Sequence, residues 1–90
     1  MRVALICKDK PNALPIRLEN RTPHLEHIRS SGVVEMAGPF LNEAGEMTGS
    51  LVVLEVETLA AAQDWAANDP YAKAGLFESV VISEWKKVVG

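Results

Sequence analysis

Two segments of this chain are apolar on both of their alternating faces, and this limits how the chain can fold. In an extended conformation successive side chains point to opposite faces of the sheet. Residues 2–8 (RVALICK) then place Val3, Leu5 and Cys7 on one face and Ala4 and Ile6 on the other. Residues 50–57 (SLVVLEVE) place Val52, Leu54 and Val56 opposite Leu51 and Val53. Both segments are predicted to be strands that need a cover on each side.

The rest of the chain supplies two more strands and two helices. The pattern predicts strands over residues 2–8, 33–40, 50–57 and 77–85, and helices over residues 14–28 and 58–68. Thr58 is the expected N-cap of the second helix, and Ser31-Gly32 ends the first. Pro23 either kinks the first helix or lets it restart with Thr22 as N-cap. The order β-α-β-β-α-β predicts an α+β, ferredoxin-like fold.

Two helices cover one face of a four-stranded sheet, so the second apolar face remains to be buried. Exposed apolar patches of that size usually mark an interface. We therefore expect a homodimer in which two sheets pack face to face. The alternative is that the C-terminal segment, residues 85–90 (WKKVVG), folds over this face.

Length, charge and cysteine content predict a single cytoplasmic domain that does not bind nucleic acid. Ninety residues predict a single domain over residues 1–90, and the net charge of −3 without a basic block argues against nucleic acid as a partner. Cys7 is the single cysteine, which favours a reducing, cytoplasmic compartment. The N-terminal apolar run is too short for a signal peptide or a membrane span.

Asp69 is the first candidate for chemistry, within the segment NDPYAKAGLF (residues 68–77). It precedes Pro70, which disfavours helical backbone at residue 69. Its side chain is expected to cap a short turn that begins at Pro70-Tyr71. A carboxylate has two oxygens, so the same residue is free to serve a catalytic partner as well.

His24 is the second candidate. It follows Arg17 and Arg21 at helical spacings of four and three, so the three side chains share one side of a helix. A histidine near a helix start is suited to act as a general base. The alternative is a structural histidine that forms one hydrogen bond. His24 and His27 lack a distant third ligand, so no metal site is expected.

The remaining reactive side chains have simpler explanations. Cys7 ends an apolar strand and is expected to be a small buried hydrophobe. Trp65 is expected in the core. Ser50 has no nucleophile-elbow motif around it, but it could donate a hydrogen bond to a ligand. No glycine-rich nucleotide motif is present.

Several motifs together resemble the YCII-related family. They are the histidine of R-x-x-H-L in RTPHLEHI, the AGP that ends the second strand, the G-S that opens the third, and DPY-x-x-AG. The resemblance extends from the first strand to the final EWKKV. It implies a ferredoxin-like fold of the dimeric α+β barrel type, and a cleft with His24 and Asp69 as the catalytic pair.

The resemblance also implies a type of reaction. His24 would move a proton on a small cyclic or enolisable substrate, as in a lyase, isomerase or dehydrochlorinase, and such a step needs no cofactor. Arg21, Ser50 and Tyr71 are the predicted substrate-binding residues. The alternative is a non-catalytic dimer that binds a small molecule or a protein, in which the pair is a structural hydrogen bond.

Overall fold

The computed structural model describes all 90 residues. Its strands are β1 (Arg2–Asp9), β2 (Val34–Leu41), β3 (Met47–Glu55) and β4 (Phe77–Glu84). Its helices are α1 (Leu14–Glu19), α2 (Arg21–Ser31), α3 (Leu59–Asn68) and α4 (Pro70–Lys73). Each predicted strand is found, α3 is the second predicted helix, and α4 is the short turn expected after Asp69.

One antiparallel sheet forms the centre of the molecule, with the strand order β2-β3-β1-β4. The central strands β1 and β3 are the two segments that are apolar on both faces, and Leu5 pairs with Val52 in their register. The helices lie on one side of this sheet. The predicted α+β, ferredoxin-like βαββαβ fold is confirmed.

The first helix differs from the prediction. Residues 14–28 do not form one helix, and the second segment does not start at Thr22, because the break falls at Asn20. The Asn20 side chain donates to the Ile16 carbonyl at 2.9 Å and thereby closes α1. Pro23 then lies in the first turn of α2, where a missing N–H costs nothing. His24 makes the first backbone hydrogen bond of α2, to the Asn20 carbonyl.

The predicted start of the second helix is confirmed, and the third strand starts earlier than predicted. Thr58 caps α3, since its hydroxyl accepts from the Ala61 backbone N–H at 3.1 Å. The third strand begins at Met47, three residues before the predicted start. The polar loop before it is a tight hairpin turn in which Gly45 has a φ of 80°, so glycine suits that position.

The core lies between the helices and one face of the sheet. Its largest fully buried side chains are Leu5, Leu54, Leu76, Val3 and Val52, and Trp65 packs there as expected. The outer sheet face carries Ile6, Met36, Phe40, Leu51 and Val81, all at least partly exposed. We call this set the outer apolar face.

The C-terminal segment does not cover the outer apolar face. Residues 85–90 form no strand or helix, and Val88 and Val89 are 83% and 88% exposed. The alternative of an intramolecular cover is therefore wrong for this structure. No helix of the chain is long and apolar enough to cross a membrane.

Candidate active site

His24 and Asp69 form a buried pair that joins α2 to the turn after α3. The Nδ1 atom of His24 lies 2.8 Å from Oδ1 of Asp69, although the two residues are 45 positions apart. Both side chains are almost entirely buried. Because a carboxylate accepts hydrogen bonds, Nδ1 carries the proton of the neutral ring, and the lone pair is on Nε2.

Asp69 also caps α4, as its sequence context predicts. Its Oδ1 accepts from the backbone N–H of Tyr71 at 3.0 Å. Pro70 fixes the backbone at the first position of this helix. One carboxylate oxygen therefore holds both the imidazole and the helix turn, so the position of His24 is tied to the backbone.

Tyr71 packs against the face of the His24 ring. Its ring stacks on the His24 ring with a centroid distance of 3.8 Å and an interplanar angle of 13°. Burial raises the pKa of the Tyr71 phenol, and the nearby positive charge of Arg17 opposes that effect. The stack leaves the imidazole little freedom to rotate or tilt.

A second buried pair lies beside the first. Arg17 of α1 binds Asp9 at the end of β1 through two hydrogen bonds, Nε to Oδ2 at 2.8 Å and Nη2 to Oδ1 at 2.7 Å. Nη2 also donates to the Ser50 hydroxyl at 3.0 Å. Burial alone would lower the pKa of Arg17, but its hydrogen bonds to Asp9 and the Asp9 charge outweigh burial, and the pKa is raised.

A cavity of about 190 Å³ connects these groups. Its polar wall consists of Arg17, Arg21, His24 and Ser50, and its other walls are mainly apolar, with Leu25, Pro39, Met47 and Val52 among them. Nε2 of His24 has no hydrogen-bond partner within the protein and is not sealed from solvent. The proton-accepting atom therefore opens towards this cavity.

A larger hollow of about 550 Å³ lies between the β1–α1 loop and the β2–β3 hairpin. Neither His24 nor Asp69 lines it. Size alone would favour it as the ligand site, but the chemistry of the smaller cavity is more specific, since one proton acceptor and several donors converge there.

The predicted site residues are brought together to different degrees. Arg21 and Ser50 line the cavity with His24, whereas Tyr71 does not line it and lies behind the imidazole. Sequence reasoning missed Arg17 and Asp9 as site residues. The spacing of Arg17 from Arg21 and His24 indicated its side of the helix, but its pairing with Asp9 depends on the tertiary fold.

Cys7 lies below the site and does not take part in it. It is buried at 3% exposure, as expected of a small hydrophobe, and burial raises the pKa of its thiol to about 12. A thiol of that pKa is a poor nucleophile at neutral pH. No three His, Cys, Asp or Glu side chains come together in a metal-binding arrangement.

Comparison with known proteins assigns the family. The model of the YCII-related domain matches residues 1–86. The chain belongs to the YCII-related family. Protein YciI of Escherichia coli is 38% identical to it, over 98% of this chain and 99% of that protein. An uncharacterized protein of Haemophilus influenzae is also 38% identical, with the same coverage. The resemblance seen in the motifs is thus confirmed.

Solved structures of similar fold are ferredoxin-like proteins of the dimeric α+β barrel type. The 5-chloro-2-hydroxyhydroquinone dehydrochlorinase TftG of Burkholderia phenoliruptrix, in complex with 2,5-dihydroxybenzoquinone, superposes with a TM-score of 0.87 at 30% identity. The match covers 96% of this chain and 94% of that one. Rv0793 of Mycobacterium tuberculosis has a TM-score of 0.64 at 12% identity, over 100% of both chains, and supports the fold alone.

Proposed function

We propose that this YCII-related protein is a cofactor-independent enzyme that moves a proton on a small cyclic or enolisable substrate. The observation that carries the proposal is the geometry of His24. Its Nδ1 is held by a buried carboxylate at 2.8 Å, while its Nε2 is unpaired and opens to a cavity. An acid–base catalyst needs one fixed ring nitrogen and one free nitrogen near the substrate.

In the proposed reaction Nε2 of His24 accepts a proton from the substrate. The electron pair left behind forms a new double bond, and in an elimination a leaving group such as chloride departs with its own bonding pair. Asp69 keeps the imidazole in the tautomer with hydrogen on Nδ1 and stabilises the imidazolium that forms. In an isomerisation His24 returns the proton to another atom of the same substrate.

The size of the cavity supports a small substrate. An apolar protein cavity of about 150 Å³ holds one benzene ring, so about 190 Å³ suits one substituted six-membered ring. The dehydrochlorinase structure is of an enzyme named for a chlorinated single-ring hydroquinone. Members of this substrate class are the first compounds to try.

The alternative is a non-catalytic binding module in which the pair is purely structural. A structural pair needs no free nitrogen and no cavity in front of it. The unpaired Nε2 and the polar groups around it therefore favour the enzyme. Arg21 is exposed and forms no ion pair within the protein, which suits a residue at the cavity mouth that attracts an anionic substrate.

We also propose that the protein acts as a homodimer. The occupant of the outer apolar face would be the same face of a second copy, since one layer of helices leaves this face without a cover. Apolar side chains on both faces of β1 and β3 favour such burial. The candidate active site lies on the helical side of the sheet, so this assembly leaves its cavity open.

The test is a rate measurement on a panel of single-ring enols and hydroquinones. Chloride release from 5-chloro-2-hydroxyhydroquinone reports elimination, and deuterium uptake from D₂O reports proton transfer at carbon. The variants are His24→Gln and Asp69→Asn. His27→Gln is the matched control, because His27 contacts the Trp65 carbonyl and not the cavity.

We expect at least one compound to react about 100-fold faster with the wild type than with His24→Gln, the usual size of a general-base contribution. Asp69→Asn should lower the same rate, and His27→Gln should leave it unchanged. Equal rates for the wild type and His24→Gln across the panel would rule out this catalytic role.

A further inference from the structure

Arg17 has hydrogen-bond donors that Asp9 and Ser50 do not use. Its Nε and Nη2 atoms bind Asp9 and Ser50, whereas Nη1 binds neither, and the guanidinium carbon lies 4.8 Å from the centre of the Tyr71 ring. Arg17 is 2% exposed, and no buried side-chain nitrogen is both sealed and unpaired. The cavity beside His24 is the one hollow that Arg17 lines. The guanidinium of Arg17 therefore borders that cavity on one side and the Tyr71 ring on the other.

Ser50 has an unused donor at the same wall. Its Oγ accepts the hydrogen bond from Arg17 Nη2 at 3.0 Å, and its own O–H has no acceptor within the protein. The side chain is buried at 3% exposure and lines the cavity. A hydroxyl whose lone pair is occupied by a cation is free to donate outwards.

The polar wall of the cavity thus has one part that donates hydrogen bonds and one part that accepts a proton. Arg17 and Ser50 offer donors, and Nε2 of His24 offers the lone pair. Two converging donors bind an oxygen that carries or develops negative charge. An acceptor beside them removes a proton from an atom close to that oxygen, so the two functions fit one substrate fragment.

The charges around the cavity indicate when the bound oxygen carries its negative charge. The Arg17 charge is already balanced by Asp9, so the pair adds no full net charge to the wall. Such a neutral pair of donors does most for charge that appears during the reaction, because its dipoles are already oriented. Arg21 at the mouth supplies the remaining positive charge.

We propose that Arg17 and Ser50 form the oxygen-binding site of the enzyme, and that the substrate is a single-ring enol, phenol or hydroxyquinone. This inference rests on the proposed function of the same cavity. In the keto tautomer of such a substrate, the C–H bond next to the C=O breaks, and its proton bonds to His24 Nε2. The C–H electron pair forms a carbon–carbon double bond, and the π electrons of the neighbouring C=O move to the oxygen held by Arg17 and Ser50.

The test uses 4-nitrocatechol, a single-ring probe whose visible absorption changes when one hydroxyl ionises. Binding is followed by titration at a slightly acidic pH, where the free probe is mainly neutral. The variants are Ser50→Ala and Arg17→Lys, which keeps a positive charge next to Asp9. Ser79→Ala is the matched control, because Ser79 is an exposed serine of β4 that lines none of the cavities.

We expect the wild type to bind the probe as its coloured anion. Ser50→Ala should weaken binding about tenfold, the size expected for one hydrogen bond to a charged group, and should reduce the ionised fraction of bound probe. Arg17→Lys should weaken it further, because lysine lacks the guanidinium fork. Ser79→Ala should match the wild type. If Arg17→Lys fails to fold, Ser50→Ala alone decides.

Two contrary results separate this proposal from the catalytic one. If Ser50→Ala and Arg17→Lys bind the probe like the wild type while His24→Gln still loses turnover, the oxygen site is wrong and the catalytic role stands. If probe binding depends on Ser50 and Arg17 but no compound turns over, the oxygen site stands and the catalytic role fails. A wild type that does not bind the probe contradicts the oxygen site.

Discussion

At the scale of single residues, Asp69 both caps α4 and holds His24. Local sequence pattern predicted only the cap. An aspartate before a proline is typical of a helix cap, and that interpretation is confirmed by the hydrogen bond from Tyr71. The contact with His24 spans 45 residues, so local pattern could not predict it. The family motifs supplied that pairing, and the shared oxygen was visible only in the structure.

The two jobs of Asp69 predict different costs for two substitutions. Asp69→Ala removes the cap and leaves the buried Nδ1 of His24 without an acceptor, so we expect a loss of about 2–3 kcal/mol of unfolding free energy. Asp69→Asn keeps an acceptor oxygen and should cost less than half of that. Urea unfolding of both variants checks the difference, and equal losses would show that the carboxylate shape is not what stabilises this turn.

Arg17 shows why part of the site was not predictable. Its sequence spacing placed it on the same side as Arg21 and His24, and all three do line one cavity. Its buried pairing with Asp9 joins α1 to the end of β1, and that contact exists only once the sheet has formed. A buried ion pair of this kind specifies geometry more than it adds stability.

At the scale of elements, the strands were easier to predict than the first helix. Period-two apolar patterns identified all four strands because their burial follows the pleat. The break in the first helix was assigned to Pro23, since proline is the stronger local signal. The structure breaks two to three residues earlier, at Asn20, whose side chain bonds back to Ile16. A side-chain hydrogen bond to the preceding turn has no distinctive sequence signature.

Gly49 in β3 provides a prediction at this scale. A Cβ atom there would lie 2.3 Å from the Cys7 carbonyl oxygen of the neighbouring strand. Gly49→Ala should therefore cost about 2–3 kcal/mol of unfolding free energy by forcing the strands apart. Gly38→Ala in β2 is the matched control, because nothing lies within 4 Å of its Cβ position. Equal stability of the two variants would contradict the close approach at Gly49.

At the scale of the whole molecule, the outer apolar face predicts self-association. Ile6 lies in the middle of this face at 47% exposure. We expect the wild type to elute as a dimer with its mass measured by light scattering, and Ile6→Glu to elute as a monomer. Leu18→Glu on the helical side is the control and should remain dimeric, since Leu18 is 54% exposed on α1. A monomeric wild type would contradict the proposed assembly.

Alkaline pH should destabilise the whole fold through Cys7. Its thiol has an ordinary pKa of 9.0, and burial raises this to about 12 in the folded protein. Between these values the unfolded chain loses the proton while the folded chain keeps it, so stability falls as pH rises. The expected slope is about 1.4 kcal/mol per pH unit between about pH 9 and pH 12. Cys7→Ala should remove this part of the slope in denaturant titrations, and an unchanged slope would contradict it.

Proton transfer as proposed requires that Asp69 holds His24 with the Nε2 lone pair open to the cavity. The ¹⁵N chemical shifts of the His24 ring, measured at a pH where both histidines are neutral, test it directly. We predict hydrogen on Nδ1 and none on Nε2, and partial loss of this preference in Asp69→Asn. A neutral His24 with its hydrogen on Nε2 would rule out the proposed base, because the atom that faces the cavity could then not accept a proton.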